Sequence, residues 1–310
     1  GLDRRYLDRR GQDLPLAIER LDLAREIAVG GSQNLTLYAL QPMIDQVDAQ
    51  VGDDPAIEEG DLMTPDIQRE LYRALGRGSP ARLTFTREAF EMLPDLDAPR
   101  ILDVGCGQGG PTLELARLSG GHVTGLDIDR WALTELARRA EEAGLSDHVQ
   151  GVQGSMLDME FPDESFDVIW AEGSLHVLGF ERALEEWRRL LRPDGFLVVH
   201  EMVWLQPDPP ADLVNCPELA YPGIRTAPEY IEQIPEHGYD LVGSLVLPED
   251  FWLRDYFDPM MARLGELRIQ YAGDQAAQRA LHRELRAADL YRKHSRWYGS
   301  MFLVMQRSER

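Results

Sequence analysis

The sequence predicts an α/β fold built on a doubly wound sheet, and three observations predict it. The first is Arg100 to Gly110, where apolar Ile101, Leu102 and Val104 run into Gly105, Gly107, Gly109 and Gly110 and then into Pro111. That order reads as a buried strand, a turn that needs positive φ, and a helix start. The second is the alternation that follows, strand-length apolar runs separated by stretches with helical periodicity. The third is size: 310 residues with 44% hydrophobic content suffice for one large domain with an accessory layer.

Taken in order, residues 1–80 read as a helical extension without strand signal, a cap or a dimer contact. Apolar residues recur at helical spacing over 14–29 and 35–51, an acidic stretch follows at 52–61, and a further helix is expected over 65–75. Residues 81–310 form the sheet domain. Its seven strands are expected at 100–104, 122–127, 149–153, 166–171, 195–202, 241–247 and 300–306. Two insertions interrupt the plan: a proline-rich loop over 203–225, and 248–298, which places two helices before the last strand. Ligands in open α/β sheets bind beyond the carboxyl ends of the strands, so these insertions are candidates for covering a bound substrate.

The glycine turn by itself is ambiguous, because Gly105, Gly107 and Gly110 also satisfy the spacing of a dinucleotide-binding loop. The next strand ends in Asp127, about 20 residues on, where a carboxylate can accept hydrogen bonds from a ribose. A nucleoside is therefore implied. Asp103, just before the glycines, would repel a pyrophosphate but suits a ligand carrying an ammonium or sulfonium centre. S-adenosylmethionine (SAM) has both the ribose and the positive charges.

From about Gly76 to Arg307 the chain resembles the class I SAM-dependent methyltransferases, a bacterial small-molecule subgroup of them. Ile101 to Gly110 is similar to their first motif, and Gly125-Leu-Asp127-Ile-Asp129 to their ribose-binding segment. Gly154 to Trp170 is similar to the adenine-side segment and fourth strand, and Leu190 to Val199 to the turn and fifth strand. The resemblance implies a Rossmann-like seven-stranded sheet, SAM as cofactor and S-adenosylhomocysteine (SAH) as product. It implies cofactor contacts from Ser79, Asp103, Gly105, Cys106, Gly107, Asp127, Ile128, Ser155, Met156 and Glu172. One departure stands out: many members carry an acid where this chain has Ser155, so Asp158 or a backbone carbonyl is left to meet the adenine amino group.

Methyl transfer from SAM is an in-line displacement that needs neither a covalent intermediate nor a metal, and no metal site is expected. Positioning two reactants can supply roughly 7–11 kcal/mol at best, and a general base matters only if the acceptor loses a proton. The candidate catalytic groups at the ends of the fourth and fifth strands are Glu172, His176, expected to open the fourth helix, and Glu201, with Tyr221 in the following loop. Trp204, Tyr221, Phe251, Trp252 and Tyr256 either wall an acceptor pocket or pack the insertions. If carboxylates and rings converge, the pocket favours positive charge through ion pairing and cation–π contact. The acceptor expected on that basis is an amine or thioether of an amino-acid-like metabolite. The alternatives are an O-methyltransferase with His176 as base, and a SAM- or NAD-binding protein without methyl transfer.

Composition limits the partners. With 32 Lys and Arg against 54 Asp and Glu, the formal net charge of −22 opposes a nucleic-acid backbone, so no nucleic-acid partner is expected. No run approaches 18 apolar residues and no signal-peptide core opens the chain, which predicts a cytoplasmic protein without a membrane partner. The two cysteines, Cys106 and Cys216, offer neither a disulfide framework nor a thiolate metal site. A homodimer through the N-terminal helices is the one protein contact suggested.

Overall fold

The computed structural model describes residues 67, 70, 80–214 and 223–308. The helices expected over 14–29, 35–51 and 65–75 lie outside the described residues, as do Ser79 and Tyr221, apart from single helical positions at Ile67 and Glu70. The chain divides into two units, residues 1–64 with 262–282, and residues 65–261 with 283–310. This grouping places residues 262–282, part of the expected insertion, with the first unit. Of that first unit only Ala262–His282 is described: it carries the end of one helix and the start of the next, joined by a short turn over 271–274.

The second unit is built on the sheet. Its strands are β1 Arg100–Val104, β2 His122–Asp127, β3 Val149–Gln153, β4 Phe166–Glu172, β5 Leu191–Trp204, β6 Arg225–Thr226, β7 Tyr239–Val246 and β8 Tyr298–Arg307. The helices are α1 Pro80–Phe90, α2 Gly110–Ser119, α3 Arg130–Glu142, α4 Phe180–Trp187, α5 Ala227–Gln233, and α6 Asp258–Gln270 and α7 Gln275–His294 of the insertion. The strand order is β3-β2-β1-β4-β5-β8-β7, with β6 pairing beside β5. The chain reverses direction of travel across the sheet between β1 and β4, the switch point at which a doubly wound sheet opens a crevice.

Alternation along the strands assigns each side chain to a face. Ile101, Val168, Trp170, Val198 and Phe302 pack on one face with Leu115 and Ala116 of α2 and Ala89 of α1. Leu102, Val104, Ile169, Val199 and Leu303 pack on the other with Leu184 and Trp187 of α4 and Tyr230 of α5. Both faces are covered, so the central strands are mainly apolar, and the polar Asp103, His200 and Glu201 stand out as buried exceptions. Trp170 and Trp187 are fully buried, each contributing about 3 kcal/mol of burial.

The sequence leaves the direction of the last strand open, and two boundaries depart from expectation. The strand β8 runs antiparallel between β5 and β7, pairing Val199 with Leu303 on one side and Leu303 with Ser244 on the other. The strand β5 begins at Leu191, four residues earlier than expected. Leu191 pairs with Phe166 and Phe196 with Val168, so residues between them bulge out. Pro193, without an N–H, and Asp194, with φ of 61°, sit in that bulge. The loop expected over 203–225 yields both ends to the sheet, since Val203 and Trp204 pair with Arg225 and Thr226. Thr226 then starts α5 with a capping box, in which the Glu229 carboxylate accepts from the Thr226 amide and hydroxyl, each at 2.7 Å. Among the described residues no helix is long and apolar enough to cross a membrane.

Candidate cofactor and acceptor site

The crevice at the switch point is lined by the loop after β1. The amides of Gly105 and Cys106 both donate to the Leu126 carbonyl, at 2.8 and 3.0 Å, which fastens the loop to the end of β2. Gly105 has φ of 74°, and a Cβ there would stand 2.4 Å from Ser174 Cβ. Ser174 is itself tied to the β1 end, donating from Oγ to the Val104 carbonyl at 2.6 Å. The loops after β1 and β4 are thus in direct contact, and only glycine fits between them.

Cys106 turns its side chain away from the crevice, into a cluster with Leu113, Leu136 and Ala140. Gly125 makes the space, since a Cβ at that position would come within 2.8 Å of the sulfur. Burial, with Asp103 and Asp127 adding, pushes the thiol pKa upward, so Cys106 stays a protonated core residue. Any contact it makes in the crevice is through its backbone.

Asp127 closes β2 with both carboxylate oxygens engaged. Oδ2 accepts from the Gly107 amide at 2.7 Å and Oδ1 from the Asp129 amide at 2.8 Å. Asp129 in turn caps α3, accepting from the Trp131 amide at 2.9 Å. Between the two acids Ile128 is 74% exposed, a large apolar side chain held out at the carboxyl edge. After β3, Gly154 donates to the Asp127 carbonyl at 3.1 Å. Ser155 accepts from the Leu157 amide at 3.2 Å and bridges to exposed Asp158. Met156 folds back so that its Cε lies 3.5 Å from where a Gly105 Cβ would be. Gly105, Gly107, Asp127, Ile128, Ser155 and Met156 therefore border one crevice.

Asp103 and Glu172 lie on the α1 and α2 side of that crevice. Asp103 is 2% exposed and accepts from Thr112 Oγ1 at 2.6 Å. Burial pushes its pKa up to about 7, opposed by the Thr112 hydrogen bond and reinforced by the carboxylates of Glu172 and Asp127. Glu172 accepts at Oε2 from Thr86 Oγ1 at 3.0 Å and from Trp170 Nε1 at 3.2 Å. The α1 residue Thr86 was not anticipated from the sequence, because nothing local ties a helix before β1 to the end of β4.

The other candidates are dispersed. Glu201 is 3% exposed and, by alternation with Val199 and Val203, faces the opposite side of the sheet from Glu172. It accepts from the Met202 amide at 2.9 Å, and its charge adds to burial in raising the pKa of Tyr230. His176 is exposed on a short 3₁₀ turn, Leu175–Val177, and does not open α4: Gly179, with φ of 89°, is the cap of that helix. The aromatics of the insertion join into one run. Phe85 meets Phe251 at 5.1 Å between ring centroids, Phe251 meets Trp252 at 5.5 Å, and Trp252 meets Tyr256 at 5.3 Å. Phe257, Tyr291 and Tyr298 carry the run to Trp204. A π-helical turn over Leu253–Phe257 sets Trp252 and Phe257 on one side, 6.5 Å apart. His200, which the sequence reading passed over, pairs in register with Glu172 and Phe302 and stacks on Trp252 at 6.1 Å. The signal was present in the period-two alternation that places His200 beside Val198 and opposite Glu201.

Residues 101–195 match the model of a methyltransferase domain family. A sterol 24-C-methyltransferase of Gibberella zeae is 44% identical over 110 residues, 35% of this chain and 28% of that protein. The chain thus aligns with little more than a quarter of the length of such relatives. A SAM-dependent methyltransferase from Geobacter sulfurreducens, solved with S-adenosyl-L-homocysteine, is similar in fold with a TM-score of 0.66 at 24% identity, over 79% of this chain and 98% of that one. Another from Thiobacillus denitrificans gives 0.67 at 21% identity, over 79% and 99%. The motif order, the doubly wound sheet and these likenesses agree: residues 101–195 match a methyltransferase domain, and the fold is similar to that of class I SAM-dependent methyltransferases.

Proposed function

We propose that the protein transfers the methyl group of SAM to a small-molecule acceptor. The observation that carries this reading is the crevice at the β1/β4 switch point, where a backbone that tolerates no Cβ at Gly105 meets Asp127, exposed Ile128 and buried Asp103. These features fit the cofactor part by part. Asp127 would hold the ribose hydroxyls, Ile128 and Met156 the adenine, and Asp103 the positively charged amino-acid end, with Glu172 beside it.

Bound SAM supplies an electrophilic methyl carbon on a positively charged sulfur. An acceptor lone pair or double bond forms the new bond to carbon as the carbon–sulfur bond breaks and its electrons go to sulfur. A neutral acceptor thereby becomes cationic. The chain's contribution is to hold the two reactants in line and to offer an environment that tolerates the new charge. We assign that environment to Glu172 and the aromatic run from Trp252 to Trp204, with Glu201 contributing from the opposite face of the sheet. The acceptor favoured is an amine or thioether of an amino-acid-like metabolite. The sterol relatives favour a second reading, a sterol-like acceptor methylated at carbon; their likeness extends over 110 residues, 35% of this chain. Both readings suit a cytoplasmic enzyme whose N-terminal residues cover the acceptor or form a dimer contact.

Calorimetric titration with SAH tests the cofactor assignment. Wild type should bind in the micromolar range, and Asp127→Ala should weaken binding by roughly 100-fold, the worth of two hydrogen bonds to a carboxylate. Absence of wild-type binding, with NAD binding in its place, would overturn the reading.

A further inference from the structure

The three carboxylates around the crevice are not equally compensated. Asp127 is met by two backbone amides, from Gly107 and Asp129. Glu172 is met by a hydroxyl and an indole N–H. Asp103, 2% exposed, is met by a single hydroxyl, that of Thr112. Pro111, beside Thr112 in the first turn of α2, has no N–H to add.

Among the described residues, the charged groups that act on Asp103 are acids. Glu172 faces it from β4 and Asp127 from β2, and both raise its pKa. The Cys106 thiol in the intervening loop senses the Asp103 charge and is held protonated. On α1 and α2, Arg87 bonds Glu114 at 2.5 Å and Arg117 reaches the same carboxylate at 3.3 Å. A buried carboxylate with one donor and two negative neighbours is cheaper to keep protonated than ionised.

We propose that Asp103 holds a proton in the cofactor-free protein, and that the ammonium group of the cofactor's amino-acid end displaces this proton to solvent on binding. The inference rests on the cofactor reading above and adds a proton to its binding step. The O–H bond of the acid breaks, its electrons stay on the carboxylate, the proton leaves to buffer, and the positive charge of the ligand's protonated amino group takes its place. Binding then strengthens as pH rises toward the point where Asp103 ionises without help, near 7.

The test is calorimetric titration with SAH in two buffers of different ionisation enthalpy at each of several pH values. About half a proton should be released per SAH bound at pH 7, approaching one at pH 6. 5′-Methylthioadenosine, which keeps the nucleoside but has no ammonium group, should bind without release. Asp103→Asn should abolish the release seen with SAH. Should that variant misfold, the comparison of the two ligands on wild type decides alone. SAH binding with the same heat in both buffers, equal release with 5′-methylthioadenosine, or release that persists in Asp103→Asn would overturn the proposal while leaving the cofactor reading intact. Failure of SAH to bind at all would overturn that reading, and the inference with it.

Discussion

Replacing Asp103 by Asn should stabilise the cofactor-free protein, and increasingly so as pH rises. Burial, with Glu172 and Asp127 adding, raises its folded pKa from 3.8 to about 7. Between those values the folded state keeps a proton that the unfolded chain releases. Folding stability therefore falls as pH rises through this window, and the loss is complete above the folded pKa. The gap corresponds to roughly 4 kcal/mol at pH 8, of which about 2 kcal/mol develops between pH 5.5 and 8. Asn is close to isosteric with the protonated acid and still accepts from Thr112, but it never ionises, so it escapes this cost. Urea unfolding of both proteins at pH 5.5, 6.5 and 8, without cofactor, reads the effect directly. The advantage of the variant should grow across the series by about 2 kcal/mol. A constant difference at all three pH values, or a less stable variant at pH 8, would refute the account of Asp103 as a buried acid without adequate partners. Saturating SAH should shrink the advantage, because it binds the native wild type more tightly than the variant.

Gly105→Ala should cost about 2–4 kcal/mol in urea unfolding, from an unfavourable positive φ and from overpacking. The φ is 74° and the new Cβ would stand 2.4 Å from Ser174 Cβ; a change within about 0.5 kcal/mol would mean the two loops are not in contact as described. Glu201→Gln should keep the hydrogen bond from the Met202 amide and lose only the charge. Once an acceptor is in hand, its turnover should drop by at least about tenfold, some 1.4 kcal/mol, while SAH affinity holds; equal loss of both would assign Glu201 to the fold or the cofactor.

The elements that carry the candidate site are legible in the sequence because they are local. The strand, glycine turn and helix from Arg100 to Ser119 follow from apolar pattern, positive-φ glycines and Pro111 within one short stretch. Asp127, Ile128 and Met156 were reachable because each ends or follows a strand whose apolar run marks it. The faces of Glu172 and Glu201 were half legible: alternation within each strand is in the sequence, but which face of β4 matches which face of β5 depends on register. His176 was assigned to the wrong element because Gly179, three residues on, competes as helix cap and wins with a φ of 89°. Cys106 was read with the loop it belongs to, although its side chain drops between α2 and α3 into space that Gly125 leaves.

The sequence by itself determined the elements and their order, since helical and strand periods, capping residues and glycine turns act over a few neighbouring positions. It also determined the local geometry of Asp127 and the glycine turn, the groups proposed to hold the nucleoside, because one strand and one turn supply them. Only the tertiary structure decided that β8 enters antiparallel between β5 and β7, because pairing partners far apart in the chain are chosen by which edges remain open. Tertiary structure likewise decided that Thr86 reaches Glu172, that the insertion aromatics join into one run, and that Asp103 is enclosed by Thr112, Asp127 and Glu172. A side chain's charge state depends on the water it loses and the charges it meets, and both are set by packing among distant segments.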